Sequence, residues 1–169
     1  AEPFHPGRAV AAAHEAIRQG VRRVCAAFDD DYWRRCDTDH EFPWDFYRAM
    51  AAGGWIGIAI PEAFGGGGRG ITEASLVVEE VAASGAAMNG ASAIHLSIFG
   101  MGPVIHHGSA ELQARVLPRV ASGELHVAFG VTEPDAGTDT SRITTRATLE
   151  PDGRRYLVRG RKVWTTKAP

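Results

Sequence analysis

The densest chemistry in the chain lies in one stretch, Phe129-Gly130-Val131-Thr132-Glu133-Pro134-Asp135-Ala136-Gly137-Thr138-Asp139. Two hydroxyls, Thr132 and Thr138, stand in it with Gly137 between them. Hydroxyls and free backbone N–H groups donate hydrogen bonds to phosphate or to the edge of a heteroaromatic ring. Glycine has no Cβ and lets a ligand come close to the backbone. A loop of this make-up leaving a strand end is suited to holding a nucleotide cofactor. On residue types alone, a polar turn between strands remains an equal alternative.

Other chemistries find less support. Gly65, Gly67 and Gly70 match GxGxxG within Gly65-Gly66-Gly67-Gly68-Arg69-Gly70. Four consecutive glycines satisfy that pattern cheaply, and no strand ending in an acidic residue follows at the distance a dinucleotide fold needs. A flexible interhelical loop is expected there. The seven histidines form no HxxxH and no Cys/His cluster, and His106 and His107 are adjacent, about 100° apart on a helix. His95, in an apolar helix, reads as a buried, hydrogen-bonded histidine. Asp29-Asp30-Asp31 reads as a solvated connection, because three neighbouring carboxylates do not converge on a metal without further ligands. No metal site is expected. GxSxG, P-loop and Cys–His patterns are missing from the sequence.

Periodicity indicates the elements that position these residues. Val10, Ala13, Ile17, Val21, Val24 and Phe28 form one stripe of a helix over 9–28. Pro43 starts a second helix, with Phe46, Met50 and Tyr47 on its buried side and Gly53-Gly54 ending it. The apolar run 55–60 is strand or buried coil. Thr72 is expected to cap the next helix, with Glu73 in its first turn and Gly85 at its stop. Residues 91–107 are apolar on all sides, as in the centre of a bundle, with Gly100, Gly102 and Pro103 as breakers. Ser109 caps a last helix that buries Leu112, Val116 and Leu117. After Ser122-Gly123 the period changes to two. Strands are expected over 125–131, over 143–150 with one wet face, and over 156–158 and 162–166, with a turn at Pro151-Asp152-Gly153 and a bend at Gly160. The expected fold class is α+β, with a helical bundle over 1–122 and the first strands of an antiparallel β-domain over 123–169.

Three ordered motifs carry a resemblance to the acyl-CoA dehydrogenase family. The stretch from Phe129 to Asp139 resembles the family run Val-Thr-Glu-Pro-x-Ala-Gly-Ser/Thr-Asp that opens its flavin-binding β-domain. Trp164-Thr165-Thr166 is similar to its Trp-Ile/Thr-Ser/Thr triplet, and Pro61-Glu62-Ala63-Phe64-Gly65-Gly66 to its Pro-Glu-x-Tyr/Phe-Gly-Gly turn. Arg142 departs from the family pattern, which has a small residue there. The resemblance implies FAD as cofactor. Phe129, Val131 and Thr132 would then face the isoalloxazine, Gly137 and Thr138 would approach the pyrophosphate, and Trp164 and Thr166 would flank the ring. An indole face packs well on such a flat ring, although a tryptophan taken alone is more often a core or interface residue. Thr138 would also lie near a bound coenzyme A thioester.

The resemblance further implies oxidation of an acyl-CoA to the trans-2,3-enoyl-CoA, by α-proton abstraction and β-hydride transfer to flavin N5. Electrons would pass to an electron-transfer flavoprotein, and the assembly would be a homotetramer or homodimer. The family's glutamate base belongs to its C-terminal helical domain, so no catalytic residue is assigned here; Glu133 and Asp139 are read as structural. A flavin monooxygenase or nitroalkane-type oxidase on the same scaffold, or a non-catalytic interaction module, is the alternative.

The bulk properties agree with an ordinary soluble globular protein. Of the 169 residues, 44 % are apolar and 22 % charged, and the net charge of −2 offers no field for nucleic acid or an anionic membrane. No apolar run reaches the ~20 residues of a membrane span. Cys25 and Cys36 make no CxxC and no disulfide framework, which favours a reducing compartment and a cytoplasmic location. The start at Ala1, with no signal-peptide pattern up to Pro6, and the stop at Lys167-Ala168-Pro169 lead to the expectation of a fragment.

Overall fold

The computed structural model describes residues 6–166, with side chains from residue 11 onward. The readings of the chain start at 1–5, of the Val10 side chain and of the end at 167–169 lie outside the described residues. Among the described residues seven α-helices come first: α1 Pro6–Cys25, α2 Asp30–Thr38, α3 Trp44–Ala52, α4 Ile71–Ala83, α5 Ala87–Phe99, α6 Gly102–His107 and α7 Ala110–Ala121. An antiparallel pair follows, β1 Arg146–Leu149 and β2 Tyr156–Arg159. This is the expected α+β architecture. The chain divides into two compact units, Ala1–Val127 and Ala128–Pro169.

In the first unit, α4 packs against both α1 and α5, and α3 packs against α1 and α5. Val21, Phe46, Tyr47, Met50, Val77, Val81, Ile94 and Ile98 form the core between these helices. A second cluster gathers Ile60, Met101, Leu117, Val120 and Val127 under α7. Apolar spacing of three and four residues is what turns one face of each helix inward. One carboxylate, Glu80, is buried with them on α4. It accepts from Arg22 Nε (2.6 Å) and Nη2 (3.0 Å), and from Arg18 Nη1. These arginines, Arg22 foremost, hold its pKa below the ordinary value.

Several expectations about local structure need correction. Asp29-Asp30-Asp31 is a helix start: the Asp29 carboxylate accepts from the Tyr32 N–H at 2.9 Å, and α2 begins at Asp30. A carboxylate there satisfies an orphan N–H and complements the helix dipole. The helix was missed because three acidic residues in a row hide its short apolar side, Trp33 and Cys36. Residues 55–60 form turns with Ile56, Ile58 and Ile60 buried, which is the coil of the two expected alternatives. Helix α4 starts one residue before Thr72, with Gly70 as its cap residue. The glycine run is interhelical but fastened: Gly67 N–H donates to Gly57 O (3.0 Å), Gly68 N–H to Ile60 O (2.8 Å) and Arg69 N–H to Ile58 O (2.9 Å). A Cβ on Gly66 would lie 2.1 Å from the Ile60 carbonyl oxygen, so the glycine allows a close approach of backbone to backbone. The apolar run 91–107 splits into α5 and α6 around Gly100 and Met101. His95 is half-buried, with Nδ1 3.3 Å from Ala91 O. Cys25 and Cys36 are buried and unbridged.

The second unit holds less strand than its periodicity suggests. Residues 125–131 and 162–166 form no strand, and the 143–150 strand is confined to Arg146–Leu149. Thr144 and Thr145 instead give their N–H groups to a side chain, Glu133. Trp164 has φ 58°, a left-handed value that a strand does not admit. Neither face of β1 or β2 is buried: all eight strand residues are exposed, where one dry face was expected.

Candidate functional site

The second unit is organised around the carboxylate of Glu133, only 5 % exposed. Its Oε2 accepts from Thr144 N (2.8 Å) and Thr144 Oγ1 (2.8 Å). Its Oε1 accepts from Thr145 N (3.0 Å), Thr145 Oγ1 and Lys162 Nζ (3.0 Å). The Thr145 hydroxyl, then the Thr144 N–H, hold this carboxyl far below the usual carboxylate range. The Glu133 backbone closes a tight turn with Ala136, donating to its carbonyl at 2.9 Å and accepting from its N–H at 3.2 Å. Gly160 lets the returning chain reach Thr145, since a Cβ there would stand 2.1 Å from Thr145 Oγ1.

Lys162 fastens a second junction. Its Nζ donates to Val131 O at 2.8 Å as well as to Glu133. One residue on, Val163 N–H donates to Thr132 O at 2.9 Å. A Cβ on Gly130 would meet Thr165 Oγ1 at 3.0 Å, so these two backbones also run close together. The Phe129–Thr132 segment and the Trp164–Thr166 triplet, some thirty residues apart in sequence, are therefore neighbours. Val131 and Thr132 are half-buried, and Thr166 is exposed. Phe129 is 49 % exposed and Trp164 88 %, so neither is a core residue. The left-handed φ of Trp164 points the same way, because strained non-glycine backbone concentrates at functional positions.

Gly137 and Thr138 are not drawn into this junction. They lie beyond the Glu133–Ala136 turn, exposed. Gly137 does not have a left-handed φ, and nothing in the chain stands within 4 Å of where its Cβ would be. The fold itself does not require glycine there. Asp139 accepts from Ser141 N at 3.2 Å and caps the short 3₁₀ turn Thr140–Arg142, so it acts structurally, as does Glu133.

Thr144, Thr145 and Lys162 are the positioning residues that sequence reasoning missed. Their signal was a polar residue inside each apolar alternation, Thr145 in the 143–149 series and Lys162 beside Val163. Among the described residues no group of three or more His, Cys, Asp or Glu side chains is placed to hold a metal ion. No described helix is long and apolar enough to cross a membrane.

Comparison with known proteins decides the family. The model of the acyl-CoA dehydrogenase N-terminal domain matches residues 11–124, and that of the middle domain matches residues 128–169. The chain belongs to the acyl-CoA dehydrogenase family. An acyl-CoA dehydrogenase of Mycobacterium tuberculosis is 35 % identical over 153 residues, which are 89 % of this chain and 38 % of that protein. A glutaryl-coenzyme A dehydrogenase solved with glutaryl-CoA superposes with a TM-score of 0.75 at 25 % identity, over 98 % of this chain and 40 % of that one. An acyl-CoA dehydrogenase of Bacillus anthracis complexed with FAD shares the fold, with a TM-score of 0.71 at 24 % identity, over 92 % of this chain and 27 % of that one. The chain thus spans well under half the length of these family members.

Proposed function

We propose that this acyl-CoA dehydrogenase segment supplies one wall of an FAD site in an enzyme that oxidises an acyl-CoA thioester to its trans-2,3-enoyl-CoA. The observation that carries the reading is the junction in which Thr132 O accepts from Val163 N–H, because it sets two exposed aromatic residues beside a hydroxyl-bearing loop. Phe129 and Trp164 offer faces to the ring, and Val131, Thr132 and Thr166 border its edge. Hydroxyl or amide donors at such an edge stabilise charge that the ring gains on reduction. Gly137 and Thr138 leave the backbone open to the pyrophosphate, with Thr138 also near the coenzyme A thioester. FAD, when bound, supplies the hydride acceptor at its N5. No residue of this chain is assigned as the base that takes the α-proton. An electron-transfer flavoprotein as acceptor, a homotetrameric or homodimeric assembly and a cytoplasmic location complete the proposal.

The test is anaerobic titration of the full-length flavoprotein with straight-chain and branched acyl-CoA esters, read by absorbance. Loss of the oxidised flavin bands with one of them is the expected result. A full-length protein that retains no flavin, or whose flavin stays oxidised with every thioester, overturns the reading.

A further inference from the structure

One face of the β1–β2 hairpin carries an unusual pairing. The register sets Arg146 directly opposite Arg159, and Thr148 opposite Leu157. Like charges opposed across a strand pair destabilise it. From Arg142 to Lys162, both included, there are seven basic residues and two acidic ones, and both acids are engaged at the turn. Glu150 pairs with Arg155 Nε at 3.0 Å, and Asp152 accepts from Arg154 N at 3.0 Å. Arg146 and Arg159 form no ion pair among the described residues, and both are exposed. They line a pocket of about 420 Å³ together with Thr144, Thr148 and Leu157.

We propose that this pocket binds a terminal phosphate group, with Arg146 and Arg159 clasping it from the two strands. Guanidinium forks match phosphate oxygens in paired hydrogen bonds, and two of them balance a dianion. A carboxylate, with two oxygens and one charge, is satisfied by a single fork. A phosphate monoester has three terminal oxygens, enough for both arginines and the Thr148 hydroxyl. Thr144 supplies no further donor, because its hydroxyl and N–H are both given to Glu133. Leu157 adds an apolar edge that suits the organic part of an ester. The anion also removes the Arg146–Arg159 repulsion, so binding and hairpin stability are linked. Its source is either free phosphate or the phosphate monoester of a coenzyme A thioester; the second rests on the proposed acyl-CoA substrate, the first does not.

Two arms separate these sources, both on full-length flavin-loaded protein and on its Arg146→Gln and Arg159→Gln variants. The first measures thermal unfolding against inorganic phosphate, with sodium chloride at matched ionic strength as control. The wild type is expected to gain Tm with phosphate and each variant to lose that gain, without losing Tm in its absence. The second compares an acyl-CoA with its 3′-dephospho form. If the ester is the ligand, removing its phosphate or either arginine raises KM about tenfold, the size of one lost charge-assisted contact, and the two changes together raise it no further. Phosphate-dependent Tm without discrimination against the dephospho ester assigns the site to free phosphate and upholds it. Absence of both effects overturns it, and the flavin reading then still stands or falls on its own titration.

Discussion

At the residue scale the two glycines Gly66 and Gly137 make opposite predictions. Gly66→Ala drives a Cβ to 2.1 Å from the Ile60 carbonyl oxygen, and backbone cannot yield as a flexible side chain does. That variant is expected to lose Tm, with a cost of about 1–3 kcal/mol as for other overpacked positions, measured by thermal or urea unfolding. Gly137→Ala meets nothing within 4 Å and needs no left-handed φ, so unfolding should be unchanged. Its effect is expected on flavin retention, as a weaker FAD Kd in the full-length protein. Equal flavin affinity in Gly137→Ala and wild type would remove this loop from the site. Glu133 gives a third prediction. Its carboxyl is depressed in the folded state, chiefly by the Thr145 hydroxyl, so its contribution is fully present above the unfolded value near 4.5 and is lost as pH falls below it. Glu133→Gln keeps the shape, leaves Lys162 without its counter-charge, and should flatten the acid limb of a stability–pH curve below about pH 4.5 while lowering stability at neutral pH.

At the element scale the helices owe their positions to burial. Ile94 on α5 is fully buried between α3 and α4, and Ile94→Ala should cost about 2–5 kcal/mol in chemical unfolding. A loss under 1 kcal/mol would mean that α5 is not central to that core. The α5 residues were legible in sequence because they are apolar on every side. Helix α2 was not, since its signal is a cap and two buried residues rather than a long stripe. The strands show a different limit. Alternation from Ile143 to Glu150 was visible, but the pattern does not say which N–H groups go to a neighbouring strand and which to a buried carboxylate. Glu133 takes those of Thr144 and Thr145, and the ladder begins only at Arg146.

At the scale of the whole molecule, the two compact units differ in how much they bury. The first contains both apolar clusters, and the second is built around a polar hub. Its hairpin leaves Leu149, Tyr156 and Val158 exposed on one face, Tyr156 by 65 % and Val158 by 64 %. Apolar groups set side by side in this way drive association. The 169-residue chain on its own is therefore expected to bind a hydrophobic dye and to self-associate with concentration, and Val158→Thr with Tyr156→Thr should reduce both. Sedimentation showing a monomer at all concentrations, with no dye fluorescence, would contradict this. On the proposed reading, in which it supplies one wall of the FAD site, the same segment alone is expected to hold FAD weakly, as it spans under half the length of its relatives.

The amino-acid sequence by itself determined the helices other than α2, the change from helical to alternating pattern, the motifs that resemble the family, and the candidate groups Phe129, Thr132, Gly137, Thr138 and Trp164. Periodicity and turn chemistry are local, and a local pattern is enough for those. The tertiary structure alone decided that the Thr132 and Trp164 segments adjoin, that Trp164 faces outward, and that Arg146 opposes Arg159. Each depends on register between segments distant in the chain. That register is set by Lys162 and by a carboxylate whose partners lie 11 to 29 residues away.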